Sequence, residues 1–214
     1  ACSPNVARPN AINDRHLAYL AERGVAAPLA RRAELFSAGP AEIQRLVLAK
    51  EAPTSSGLVI PYCEPSGKAP FYYRVRLDVE RDNGQRFLVP SGLEVPLYVA
   101  TDSARTVDEP LLVAEGPIKA IALAAIGYAA VGLGGVSTTL AKGGGSPMLG
   151  ESWQGVPLHG RRVYIAFDAG AATNPLVAHA ETRLGRALVA AGADVFVVRT
   201  PMHITAHSRA IEVA

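Results

Sequence analysis

From Leu111 onward the chain alternates short apolar runs with longer segments of helical period. The runs are "LLVAEG", "YAAVGLGG", "RRVYIAFDAG" and "ADVFVVRT". Between them lie "PIKAIALAAIG", a glycine-rich stretch from Val136 to Gly160, and "NPLVAHAETRLGRALVAAG". Unbroken apolar strands separated by helices are satisfied by a parallel sheet covered on both faces, with right-handed crossovers. The punctuation agrees with this reading. Pro117 stands at the first position of one helix. Asn174 caps the other, with Pro175 behind it and Gly192 as terminator. The apolar line of this second helix runs through Val177, Ala180, Leu184, Ala187, Leu188 and Ala191. We therefore expect an α/β fold with a four-stranded parallel sheet flanked by helices, over residues 108–205. Ligands of such sheets bind at the carboxyl ends of the strands. Glu115 and Asp168 both stand at such ends.

The first 107 residues have another rhythm and predict a smaller α+β module. "NDRHLAYLAERG" reads as a helix with Asn13 or Asp14 as cap and Gly24 as stop. "APLARRAELFSAG" and "AEIQRLVLAK" read as two further helices separated by Gly39-Pro40. "GLVIPYC" is an apolar strand. "FYYRVRLDVE" alternates, with Phe71, Tyr73, Val75, Leu77 and Val79 on one face and Tyr72, Arg74, Arg76 and Asp78 on the other, which predicts a half-buried strand. Asn83-Gly84 predicts a two-residue hairpin turn into "RFLVP", and "PLYVA" completes a small antiparallel sheet. Residues 206–214 form a tail.

The known phosphate loops are not met. "GLGGVS" has serine where a dinucleotide fingerprint needs its third glycine. Gly67-Lys68 is followed by Ala69 and lacks the upstream glycine of a P-loop. Gly143 to Gly145 read as flexible loop. "EGPIKA" is more informative. It sets a carboxylate beside a helix N-terminus, an end that favours anions. Gly116 allows a sharp turn or the close approach of a ligand. Lys119 lies in the first helical turn, where a cation opposes the dipole but suits a bound phosphate. The plain alternative is a solvated lysine and a dipole-stabilised Glu115. Two acidic strand ends in one sheet could together hold Mg²⁺, which takes few carboxylates and keeps waters and phosphate oxygens. Tyr72, Arg74 and Arg76 could contact a phosphate backbone, or simply form a solvated strand face. Arg161-Arg162 fall at the opposite end of their strand from Asp168. His203 and His207, four apart, lack an acidic third ligand nearby.

Composition narrows the class. Of 214 residues, 49% are hydrophobic and 19% charged, so a sizeable core is available. The net charge of +2 does not by itself announce a nucleic-acid binder. Cys2 and Cys63 cannot make a four-thiolate zinc site. No run reaches the length of a membrane helix, and the opening "ACSPNVARPN" lacks a signal-peptide layout, so a cytoplasmic protein without membrane contact is expected.

The residues "LLVAEGPIKAIAL", "GYAAVGLGGV", "RRVYIAFDAGAATNP" and "LGRALVAAGADVFVV" together resemble the Toprim domain. That Rossmann-like domain is shared by bacterial-type primases, topoisomerases, OLD-type nucleases, a ribosomal-RNA maturase and recombination mediators. The resemblance is nearest to primase-like replication proteins of phages, plasmids and other mobile elements, whose leader carries features like "GLVIPY" and "YRVRLD". It implies Glu115 as the catalytic acid/base and, with Asp168, as the ligand of Mg²⁺ or Mn²⁺. It implies Lys119 as the recurrent basic residue, Gly134-Gly135 as the turn after the second strand, and Gly116, Arg74 and Arg76 as further phosphate or nucleic-acid contacts. The function it implies is RNA-primer synthesis on a DNA template from nucleotides, with a helicase or other replication domains as candidate partners. Gly170 departs from the pattern, standing where the second aspartate of Asp-x-Asp is expected. Asp102, Asp108 and Glu181 are candidate substitutes. The departure keeps two alternatives open: a catalytically degenerate nucleic-acid-binding module of a replication complex, and a Toprim nuclease.

Overall fold

The computed structural model describes residues 11–63, 70–135, 140, 148–168 and 174–199. Gly67, Lys68, Gly143 to Gly145, Gly170, His203 and His207 lie outside the described residues.

Helix α1 (Asp14–Ala21) starts where Asn13 accepts the His16 N–H at 2.8 Å. Gly24 takes a positive φ of 76° beyond its end, a conformation that costs glycine little. Helix α2 (Ala27–Arg32) carries proline in its first turn. The helical pattern predicted to run on to Gly39 breaks here. Glu34 adopts φ 55°, and the chain continues as strand β1 (Phe36–Ala38). Its buried Phe36 and Ala38 alternate with Ser37, and Phe36 pairs with Val59. Pairing with a neighbouring strand has overridden local helix preference. Helix α3 (Pro40–Leu46) follows as expected.

Strand β2 (Gly57–Tyr62) is buried along its whole length and lies between β1 and strand β3 (Tyr72–Leu77). Strand β4 (Phe87–Leu88) closes an all-antiparallel sheet of order β1-β2-β3-β4. The hairpin from β3 to β4 is present, but its turn is wider than two residues. Arg81 N–H bonds Gln85 O, and the Asn83 side chain accepts the Gln85 N–H. Strand β3 is covered on both faces, not one. Val75 and Leu77 face one apolar cluster, and Tyr72 is buried in another, edge-on to Tyr62.

Strand β5 (Tyr98–Val99), expected in the antiparallel module, instead joins the second sheet. That sheet also contains β6 (Leu111–Ala114), β7 (Ala129–Gly132), β8 (Arg162–Ala166) and β9 (Asp194–Val197), in the order β5-β7-β6-β8-β9. The last four are mutually parallel and β5 is antiparallel to β7. Helices α4 (Pro117–Ala125) and α5 (Pro175–Ala190) cover opposite faces. Leu111, Val113, Val163 and Ile165 pack with Leu184, Ala187 and Leu188 of α5. Ala114 and Ala130 pack with Ile118 and Ile121 of α4, and also with Leu20, Tyr62, Tyr72 and Tyr98. The antiparallel sheet and the parallel sheet thus share a core. The continuous apolar strands predicted a sheet covered on both faces, but the coverage is incomplete. At the β9 edge Phe196 is exposed and stacks on Tyr164, with ring centroids 5.1 Å apart.

Candidate active site

Strands β6 and β8 are hydrogen-bonded parallel neighbours with Ala114 opposite Ala166. The residues that follow them therefore emerge at one end of the sheet. Glu115 is the first residue after β6, and Asp168 the second after β8. The Asp168 backbone N–H donates to Glu115 Oε1 at 2.6 Å, which fixes the glutamate between the two strand ends. Lys119 reaches back from the first turn of α4. Its Nζ donates to Glu115 Oε2 at 2.7 Å and also pairs with Asp168 Oδ2. An ammonium group thus sits between the two carboxylates. Lys119 is paired with both acids while its side chain stays 40% exposed.

The glycines divide differently from expectation. Gly116 is the N-cap of α4 in extended conformation, and a Cβ there would meet only the Leu133 carbonyl at 3.9 Å. Its lack of a side chain is not what shapes the turn. The close approach is at Gly132, the last residue of β7. A Cβ there would come within 2.7 Å of the Gly116 carbonyl carbon and 2.8 Å of the Pro117 nitrogen. Gly132 lets the Glu115–Gly116 turn fold tightly across the end of β7. The available signal was its place as the last residue of an apolar run. Gly134 and Gly135 follow at the same end of the sheet, and Gly135 has φ 144°.

Arg74 and Arg76 lie on β3, in the other sheet. The Arg74 guanidinium stacks over the Phe87 ring at 4.3 Å, and that of Arg76 over Tyr19 at 4.0 Å. Both are half-buried, so the face is neither freely solvated nor joined to the acidic pair. Asp78 is also committed. His16, buried at 1% exposure, contacts Asp78 Oδ1 through Nε2 and Ser37 Oγ through Nδ1, both at 2.7 Å. The Asn13 N–H donates to the same Ser37 oxygen at 2.9 Å. This set ties α1 to β1 and to the end of β3.

The candidate substitutes for a second aspartate do not gather at the site. Asp102 begins a short 3₁₀ turn (Asp102–Arg105), and Asp108 precedes β6. The turn is held from the opposite end of the sheet by Arg161, whose guanidinium donates to the carbonyls of Ser103, Ala104 and Glu109. Burial lowers the pKa of Arg161, while Glu109 and Asp108 oppose that shift. Glu181, buried in α5, is held by both terminal nitrogens of Arg199 at 2.7 Å. That pairing raises the Arg199 pKa.

Among the described residues no group of three or more His, Cys, Asp and Glu side chains gathers to hold a metal ion. The donor set at the strand ends is therefore two carboxylates. Hard oxygen donors in that number fit a Mg²⁺ or Mn²⁺ ion that completes its shell with water and phosphate oxygens.

Similarity to known proteins follows the same geometry. The model of a family described as a domain of unknown function (DUF3854) matches residues 104–205, a span holding β6 to β9, both helices and the acidic pair. In three dimensions the chain is similar to the Aquifex aeolicus primase, in a crystal structure of its zinc-binding and RNA polymerase domains. The TM-score is 0.60 at 19% identity, covering 88% of this chain and 50% of that one. The fold resembles that of primase cores. The Escherichia coli primase catalytic core is similar with a TM-score of 0.56 at 16% identity, covering 86% of this chain and 64% of that one. The chain therefore spans half of the first and under two thirds of the second. No curated protein matches it. At such identities the likeness is one of fold, a mixed α/β arrangement whose sheet contains parallel strands. No helix among the described residues is long and apolar enough to cross a membrane.

Proposed function

We propose that this chain is the Toprim-type module of a primase-like nucleotidyltransferase, with residues 108–205 carrying the chemistry and residues 1–107 supporting it. The observation that carries the reading is the Glu115–Lys119–Asp168 constellation at the carboxyl ends of two adjacent parallel strands. Glu115 and Asp168 are the residues that would hold Mg²⁺ or Mn²⁺. When bound, such an ion polarises phosphoryl oxygens and lowers the cost of developing negative charge. In this reading Glu115, the less exposed of the two carboxylates, also receives the proton of the attacking ribose hydroxyl. The hydroxyl oxygen forms a bond to the α-phosphorus of a ribonucleoside triphosphate and pyrophosphate leaves. Lys119, at the N-terminus of α4, offers positive charge to the phosphates. DNA template and nucleotides are the partners, and a helicase or other replication domains would act beside the module.

The test is primer synthesis from labelled ribonucleotides on single-stranded DNA with Mg²⁺. Wild-type product that falls by about a hundredfold or more in Glu115→Gln supports the proposal. A Gly170→Asp variant should raise the yield by adding the carboxylate that Asp-x-Asp would supply. No product from any of the three overturns the reading. A second reading, a non-catalytic nucleic-acid-binding module, is favoured by Gly170 in place of a second aspartate and by the pairing of both carboxylates with Lys119. It predicts salt-dependent DNA binding without turnover.

A further inference from the structure

The same lysine that crosses the site also blocks it. Lys119 occupies one oxygen of Glu115 and one of Asp168, and the Asp168 N–H takes the other Glu115 oxygen. Three of the four carboxylate oxygens are thus engaged from within the chain. A divalent ion drawn to the two acids would compete with the ammonium for their oxygens and would meet a like charge beside them. The helix dipole disfavours a cation in the first turn of α4, so the carboxylates are what keep Lys119 there. The lysine is free to leave. Its side chain is 40% exposed and its stem is flexible. Glu115 would stay in place, since the Asp168 backbone holds it independently.

We propose that Lys119 is an exchangeable internal counterion. It neutralises the acidic pair in the free protein and transfers to the phosphates of an incoming polyphosphate, releasing both carboxylates for the divalent ion that travels with it. Metal and triphosphate then bind as a linked pair, each weakly alone. The proposal rests on Glu115 and Asp168 being the metal ligands, and it names how loading of that site is controlled.

The test is Mn²⁺ titration of the whole chain, read by electron paramagnetic resonance of the free ion, without nucleotide. Lys119→Met should bind Mn²⁺ about tenfold or more tightly than wild type, because one positive charge is removed next to the ion. Lys119→Gln should do the same, and Lys119→Arg should remain weak. Adding inorganic pyrophosphate should tighten Mn²⁺ binding to wild type by more than it does to Lys119→Met. The gain should vanish in Glu115→Gln/Lys119→Met. Equal or weaker Mn²⁺ binding by both neutral variants overturns the proposal, as does a gain that survives removal of Glu115. Primer synthesis is scored separately. A chain that makes no primer yet shows the Lys119-dependent gain fails the enzymatic reading and keeps the exchange.

Discussion

At the scale of single residues the site depends on one glycine as much as on its charged groups. Gly132 ends β7, and any side chain there would press on the backbone of Gly116 and Pro117 at under 3 Å. Backbone cannot swing aside as a flexible side chain can. Gly132→Ala should therefore lower stability by about 2 kcal/mol, the usual cost of overpacking, and displace Glu115 from Asp168. Gly116→Ala makes only an ordinary contact with the Leu133 carbonyl on an extended backbone and should cost no more than about 1 kcal/mol. Urea unfolding midpoints compare the two, and Mn²⁺ binding should fall in the first. Glu115 and Asp168 were legible in the sequence because each terminates an apolar run that could only be a buried strand. Lys119 was legible as a residue of interest but not as a bridge. Its second partner lies 49 positions away, and only the β6–β8 register brings it near. Gly132 and Gly116 exchanged importance because a steric approach depends on a neighbour that the sequence does not name.

Elements were legible where their period was long and their signals agreed. Helices α4 and α5 and all four parallel strands fall where proline, asparagine and glycine punctuate the pattern. Short elements were legible only in part: β4 and β5 lie where strands were expected, but β1 was not expected and β5 was assigned to the wrong sheet. Strand β1 exists because its edge pairs with β2, and β5 found its partner in the far sheet. Two or three residues do not name the strand they will pair with. The same holds for the 3₁₀ turn, which is ordered by a side chain 57 and 58 positions away. Arg161 is 2% exposed and donates to the carbonyls of Ser103, Ala104 and Glu109, of which Ser103 also accepts from Thr106. Replacing it with methionine keeps bulk but removes all three bonds, the buried one to the Ala104 carbonyl among them. Arg161→Met should cost about 3 kcal/mol, measured by denaturant unfolding. Mn²⁺ binding by the chain that remains folded should be unchanged, because the clamp acts at the end of the sheet opposite Glu115.

For the whole molecule, two sheets of different character are joined through a cluster in which three tyrosines meet. Tyr62 lies edge-on to both Tyr72 and Tyr98, with centroids 5.2 and 5.0 Å away. No periodicity in either half predicts that junction, and the alternation of β3 set Tyr72 on the polar face with Arg74 and Arg76, whereas the second sheet buries it. The junction has a consequence for pH. Burial raises the pKa of Tyr62, Tyr72 and Tyr98 above the ordinary 10.0, and the Arg74 charge opposes the shift at Tyr62 and Tyr72. An acid whose folded pKa is raised binds its proton more tightly in the folded state. Its contribution is fully present below pH 10.0 and is lost as pH rises above that value, where the unfolded chain ionises first. The hydroxyls of Tyr62 and Tyr72 are buried without a hydrogen bond, so nothing local stabilises a phenolate there beyond Arg74. Alkaline titration should therefore show a rise in tyrosinate absorbance that coincides with loss of ellipticity, as the buried three ionise together with unfolding. Tyr62→Phe removes one of the ionising groups and an unpaired hydroxyl, so it should keep neutral-pH stability within about 1 kcal/mol of wild type and unfold at higher pH. A mutant that unfolds at the same pH as wild type, or a single tyrosinate step that precedes unfolding, would show that the two sheets are not held together through this cluster.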